Sequence, residues 1–277
     1  MKQLTTEELK QVELDILSDF AKFCDKNRLT YFLAYGTLIG AIRHKGFIPW
    51  DDDIDIWMPR ADYNRLIAMF NEQHQDGVYW AILPTDKRSC HSFVKVIDTR
   101  TLKVEQGISY SSGFLGVDID VFPLDGQPTD DAEFAEWYHR LYHLYLRHFT
   151  LIRKIEGSLL TRIKLAGRQV LTWIQHGNKR DILRKAATLH RKYPYETSTY
   201  VGTVESCFNF KSNRYKKEWF SKAVVTEFEG VSFKIPVGYH EVLTQLYGDY
   251  MQLPSAEQQV THHRNKTYWR DKADEKV

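Results

Sequence analysis

The apolar positions change period along the chain, from helical to alternating and back again. Leu9, Val12, Leu14, Ile16, Leu17, Phe20 and Phe23 fall at mostly three- and four-residue spacing, which predicts an amphipathic helix. Thr5-Thr6-Glu7-Glu8 is its start signal, with Thr6 as the cap, and Asn27-Arg28 is its end. Tyr31-Phe32-Leu33-Ala34 reads as a short strand, Gly36-Thr37 as a turn, and residues 38–44 as a short helix broken by Gly46 and Pro49. A strand beginning near Asp52 follows, and Pro59-Arg60-Ala61-Asp62 opens a helix through Phe70. Strands are predicted over 78–83, 91–98, about 101–106 and 116–122. Residues 131–192 are helical in pattern, with breaks near Gly157, Gly167 and Gly177. Residues 225–235 read as a hairpin turning at Glu229-Gly230, and Tyr239 to Tyr247 as a helix closed by Gly248. The last ten or so residues are polar and expected to fray.

Two of these strands carry acids where alternation demands explanation. In Asp51-Asp52-Asp53-Ile54-Asp55-Ile56, an extended backbone sends Asp51, Asp53 and Asp55 to one face and Asp52, Ile54 and Ile56 to the other. Like charges in a row repel unless a cation sits among them, and a divalent metal is the expected one. The competing reading is a solvated acidic turn. A second acidic strand, Gly116-Val117-Asp118-Ile119-Asp120-Val121-Phe122-Pro123, repeats the alternation and favours the metal. Oxygen donors without Cys or His select Mg²⁺, with Mn²⁺ as the second choice, over zinc.

Composition narrows the class. A hydrophobic content of 43% over 277 residues supports a sizeable core. Cys24, Cys90 and Cys207 form no CxxC pair, which suits a reducing compartment. No run approaches the roughly 20 apolar residues of a membrane span, and the first residues do not read as a signal peptide. A cytoplasmic protein is expected. Residues 141–192 hold 12 Lys and Arg against Glu156 and Asp181, a balance of +10. That stretch suits either weak attraction to an anionic membrane leaflet or a solvated basic face, with insertion the less expected outcome. It contains no groove-reading or single-strand motif, so no nucleic-acid partner is expected. His262-His263 lack the spacing of a zinc site.

A strand, a glycine turn, a helix, a strand bearing D-x-D and a later acidic strand form the pattern of a nucleotidyltransferase fold. The predicted class is α/β, a nucleotidyltransferase-like mixed-sheet core with a helical insertion and helical termini. Residues 36–56, GTLIGAIRHKGFIPWDDDIDI, resemble the signature of the LicD family, which includes bacterial phosphocholine transferases. The resemblance continues through Met58-Pro59-Arg60-Ala61-Asp62-Tyr63 and Asp118-Ile119-Asp120-Val121-Phe122-Pro123-Leu124-Asp125. It returns at Phe228-Glu229-Gly230, in residues 235–240 and in residues 243–250. Residues 126–215 are the least family-specific.

The resemblance implies metal-dependent transfer of phosphocholine from CDP-choline to a hydroxyl of a lipid-linked, teichoic-acid-type surface glycan, releasing CMP. It implies that Asp53 and Asp55 hold Mg²⁺ and that Asp120 completes the site as ligand or base, with Asp118 in reserve. Gly36 and Thr37 are expected to approach a phosphate through the backbone. Arg43 reads equally as a phosphate contact or an ordinary basic helix end, and Lys95 as a phosphate contact or a snorkelling side chain on an edge strand. Tyr35, Trp50 and Trp57 lie nearest the motif and are candidates for a choline cage, or for the core. Rival readings keep the fold and change the donor to CDP-glycerol or CDP-ribitol, transfer the nucleotide itself, or leave a silent membrane-associated scaffold. The expected organisation is a terminal helix over 1–30, a catalytic core over 31–125, a basic helical region over 126–195, and a part over 196–277 completing the core and donor pocket.

Overall fold

The computed structural model describes residues 1–108, 114–204, 213–260 and 265–271. Its strands are β1 (Lys2–Gln3), β2 (Phe32–Leu33), β3 (Asp55–Pro59), β4 (Tyr79–Ile82), β5 (Val94–Asp98), β6 (Thr101–Val104), β7 (Val117–Gln127), β8 (Tyr200–Gly202), β9 (Tyr215–Lys216), β10 (Ala223–Phe228), β11 (Val231–Pro236) and β12 (Lys266–Trp269). The helices are α1 (Thr6–Lys26), α2 (Tyr35–Ile39), α3 (Arg60–Gln73), α4 (Asp131–Ile152), α5 (Leu159–His176), α6 (Lys179–His190) and α7 (Tyr239–Tyr247). The central sheet runs β2-β3-β7-β5-β4, with β8 and β9 extending from the far end of β7. The β3–β7 pair is parallel, while β2–β3, β5–β7 and β4–β5 are antiparallel, so the sheet is mixed and the class α/β, as expected. Cys207 and His262-His263 lie outside the described residues, as do 272–277 of the tail expected to fray; Tyr268 and Trp269 before them are paired in β12.

The helices α1 and α3 contact this sheet, and Phe20, Tyr31, Phe32, Trp57, Tyr63 and Phe70 are fully buried in the shared core. Thr5 rather than Thr6 caps α1: its side chain accepts from the Glu8 amide while Glu8 accepts from the Thr5 amide. The hairpin β10–β11 turns at Glu229 and Gly230, both at positive φ, as its sequence predicts. The helix α7 ends at Gly248, also as predicted.

Four local expectations fail for physical reasons. The Gly36-Thr37 segment is not a free turn; it forms the first turn of α2, which opens at Tyr35 and runs on into a wider π turn over Gly40–His44. The acidic strand opens at Asp55, not near Asp52, because the Asp51 amide closes a turn on the Ile48 carbonyl at 2.9 Å and residues 51–53 are still leaving it. Asp51, Asp52 and Asp53 therefore lie in the approach to the strand and do not alternate. Gly167 sits inside α5 without breaking it. Between α4 and α6, Trp137, Leu141, Tyr145, Ile182 and Ala186 form a second small core, whereas α5 buries none of its residues among the described ones.

Candidate active site

Alternation within three adjacent strands sends Asp55 and Trp57, Asp118, Asp120 and Phe122, and Lys95 to one face of the sheet. Register then aligns them in rows. Lys95 on β5, Asp120 on β7 and Asp55 on β3 stand side by side across the sheet. One step along, Phe122 stands opposite Trp57, and the Phe93 ring packs on Phe122 at 4.4 Å. Tyr35 closes over this second row, with its ring 4.7 Å from Trp57 and 5.8 Å from Phe122. A charged row and an aromatic row thus run in parallel on one surface.

Backbone contacts fix the charged row. The Asp55 amide donates to Thr37 Oγ1 at 2.9 Å, the Ala34 amide donates to the Asp55 carbonyl at 2.9 Å, and the Asp120 amide donates to the Ile54 carbonyl at 2.8 Å. Thr37 is buried, and its hydroxyl serves to place the carboxylate strand. A Cβ on Gly36 would run into the Asp51 carboxylate, so the absence of a side chain there lets Asp51 lie against the start of α2.

The electrostatics are those of an anion cluster around few cations. Burial pushes the Asp55 carboxyl well above the usual range, and the negative charges of Asp53, Asp120 and Asp51 add to it. Burial also pushes Asp120 up to about 7, with Asp118 adding and Lys95 opposing. Lys95 Nζ donates to Asp120 Oδ1 at 2.5 Å and to Asp118, and lies 3.8 Å from Glu105. Burial alone would lower its pKa, but these carboxylates hold it well above the usual lysine value. Lys103 donates to Asp118 at 2.5 Å, and the two lysines keep Asp118 ionised against its burial.

The structure brings Asp53, Asp55, Asp118, Asp120 and Lys95 into one site and separates their surroundings. Asp118 is buried beneath the row on two lysines, while Asp120 stays partly open. Lys95 is on an interior strand and fully enclosed, so it neither snorkels from an edge nor extends into solvent. Arg43 holds the C-terminal segment: Nη1 donates to the Tyr250 carbonyl at 2.6 Å and to the Gln252 carbonyl at 3.3 Å, and Nε donates to His44 at 2.9 Å. Trp50 is half-buried against the core with an edge contact to His44, and Trp57 is a core residue.

Sequence reasoning passed over Glu13, Lys103, Glu105 and Tyr247. Glu13 is buried on α1, and the nearby charges of Lys103, Asp53, Asp118 and Asp52 act on its carboxyl, which burial raises well above the ordinary range. Its signal was present, since Glu13 shares the helical face of Ile16, Leu17 and Phe20. Glu105 lies 3.4 Å from His91 and is held below the ordinary range, against its burial, by His91 and Lys95. The helix α7 packs against α2, and the phenol of the exposed Tyr247 is raised by desolvation among neighbours that include Tyr35, Asp55, Asp51 and Asp53.

The donor set suits a hard divalent cation. Its oxygens are carboxylates: Asp55 stands opposite Asp120 with Asp53 close by, and Lys95 engages Asp120 through Oδ1 alone. Among the described residues, no three or more acids, His or Cys converge into a finished cage.

A mixed α/β sheet with paired acidic strands behind a short helix is the arrangement that the sequence pattern of a nucleotidyltransferase-type core leads one to expect. The family model described as "LicD/FKTN/FKRP, nucleotidyltransferase domain" matches residues 28–151. The lipopolysaccharide cholinephosphotransferase LicD of Haemophilus influenzae is 35% identical over 270 residues, covering 97% of this chain and 99% of that protein. An uncharacterised protein of Rickettsia typhi is 33% identical over 76 residues, covering 26% of this chain and 25% of that protein. Another, from Rickettsia prowazekii, is 43% identical over 62 residues, covering 22% of this chain and 23% of that protein. The chain belongs to the LicD family and is a transferase.

Proposed function

We propose that the chain transfers phosphocholine from CDP-choline to a hydroxyl of a lipid-linked cell-surface glycan, releasing CMP. The observation that carries this reading is the parallel placement of the charged and aromatic rows. A CDP-choline donor has two demands, an anionic diphosphate and a quaternary ammonium. The first suits the Asp55–Asp120–Lys95 row with a bound cation, and the second suits the faces of Phe122, Phe93 and Tyr35. The end-to-end relative from Haemophilus influenzae, a cholinephosphotransferase by name, supports the same headgroup and a glycan acceptor. An alditol headgroup would want hydrogen-bonding side chains where this chain has rings.

Asp53, Asp55 and Asp120 would hold Mg²⁺, which when bound neutralises the donor diphosphate and stabilises the departing CMP. Lys95 orients Asp120 through Oδ1. Thr37 holds Asp55 at the strand start, and Tyr247 on α7 has Asp55 and Asp53 among its neighbours.

The test is CMP release from CDP-choline and from CDP-ribitol, with Mg²⁺ and with EDTA, for the wild type and Asp55→Asn. Metal-dependent release from CDP-choline, lost in the variant, is the expected result. Release from CDP-ribitol alone would keep the chemistry and overturn the headgroup. Pyrophosphate in place of CMP would overturn the reaction.

A further inference from the structure

The helix α5 is amphipathic in the wrong sense for a core helix. At 100° per residue, Leu160, Ile163, Val170, Leu171, Trp173 and Ile174 share one continuous arc, with Leu159 and Ala166 inside it. That arc faces outward: Leu160 is 72% exposed, Ile163 60% and Ile174 67%. The opposite side rests on α4 through polar contacts, as Gln169 Nε2 donates to the Thr150 carbonyl at 3.1 Å and the Arg153 carbonyl at 2.7 Å. Arg162 borders the arc on one edge, and Lys164 and Arg168 on the other.

A cationic groove adjoins the end of this helix. His139, Arg140, His143 and Arg147 on α4 face Lys185 on α6 across about 460 Å³. Lys185 Nζ donates to the carbonyl of His176, the last residue of α5, at 3.0 Å, so the groove adjoins the C-terminal end of the helix. Among the described residues, no helix is long and apolar enough to cross a membrane.

We infer that this surface is a docking face for an anionic lipid bilayer, with α5 lying in the interfacial plane and the groove receiving lipid phosphates. The charge decides between occupants. A second copy would bring the same Arg and Lys borders against themselves, and like charges facing across an interface repel. An anionic leaflet matches both the apolar arc and its cationic borders. The sequence favoured weak attraction without insertion; the outward apolar arc adds insertion of one helix face. This proposal stands apart from the donor assignment, because it concerns the helical region and not the sheet.

The experiment is co-sedimentation of the full chain with vesicles of phosphatidylglycerol and phosphatidylcholine at 30:70, and with pure phosphatidylcholine. Size-exclusion chromatography with light scattering runs in parallel. Partition onto the anionic vesicles should exceed that onto neutral ones at least tenfold and weaken on raising salt from about 50 to 500 mM. Ile163→Asp with Ile174→Asp should lower anionic partition at least tenfold while helix content and Tm hold. Leu160→Ser with Leu171→Ser is the milder pair, expected to lower it severalfold should the first pair unfold. Equal partition of wild type onto both vesicles, or none onto the anionic ones, would overturn the inference. So would a stable dimer that Ile163→Asp with Ile174→Asp dissolves without changing vesicle binding.

Discussion

Asp55 and Asp120 stand directly opposite one another across the parallel β3–β7 pair, each with its backbone anchored and both carboxyls raised by burial. Two partly buried acids in register, with charges that oppose each other, destabilise the fold that carries them, which is the usual sign of a pair kept for chemistry. Replacing either by its isosteric amide should separate the two effects. Asp55→Asn is expected to reduce CMP release at least about 100-fold and to raise stability by about 1 kcal/mol through lost repulsion. Turnover and thermal unfolding on the same preparation check this. A variant that is both active and less stable would remove Asp55 from the site.

Lys95 has the opposite sign. It is buried and neutralises Asp120 and Asp118 together, with Glu105 beyond. Lys95→Met keeps the length of the side chain and strands the carboxylates, at a cost of about 3–5 kcal/mol. Asp118→Asn in the same chain should restore part of that loss, because the two changes share a partner. Urea unfolding of the two single variants and the double variant measures the coupling. Additive losses would show that the Lys95–Asp118 contact contributes nothing to the fold.

The order of elements and the acidic face were legible because period-2 alternation is a local property. Ile54, Asp55, Ile56 and Val117 through Val121 state in sequence which side chains share a face. What sequence cannot state is register. Nothing in Ser92-Phe93-Val94-Lys95-Val96 says that Lys95 will stand beside Asp120, or that Phe93 will meet Phe122. The same limit hid the use of Arg43, whose partners at Tyr250 and Gln252 lie some 200 positions away. The strand start was misplaced for a different reason: alternation was extended through Asp51-Asp52-Asp53, which leave a turn closed by the Asp51 amide on the Ile48 carbonyl before the strand begins. Glu13 was visible on the apolar face of α1, but its meaning depends on what that face covers.

The turn ahead of β3 depends on one close approach. A Cβ at Gly40 would collide with the Gly46 carbonyl and press on the Phe228 ring at 3.4 Å. The obstacle is backbone, so the chain between the π turn and the acidic approach must shift. Gly40→Ala is expected to cost about 1–3 kcal/mol, although alanine favours helix elsewhere. Gly167→Ala is the control. It lies in α5 with open space around it and should stabilise by about 0.5–1 kcal/mol. Equal effects of the two in thermal unfolding would contradict the tight packing of the turn.

Acid sensitivity should come in part from the helical region. Burial, with help from His91 and Lys179, pushes the His148 imidazole from 6.5 down to about 4, and its buried Nε2 has no hydrogen-bond partner among the described residues. The folded pKa is below the unfolded one, so the unfolded chain binds the proton first as pH falls. Stability from this group is therefore whole above about pH 6.5 and is lost as pH falls to about 4, where the loss levels off. The loss amounts to at most about 3 kcal/mol. His91 and His190 are also lowered by burial and add to the same slope. His148→Leu should flatten the dependence of unfolding free energy on pH between 6.5 and 4 without abolishing it. Identical slopes for variant and wild type in urea unfolding across that range would show that His148 is protonated, or solvated, in the native protein.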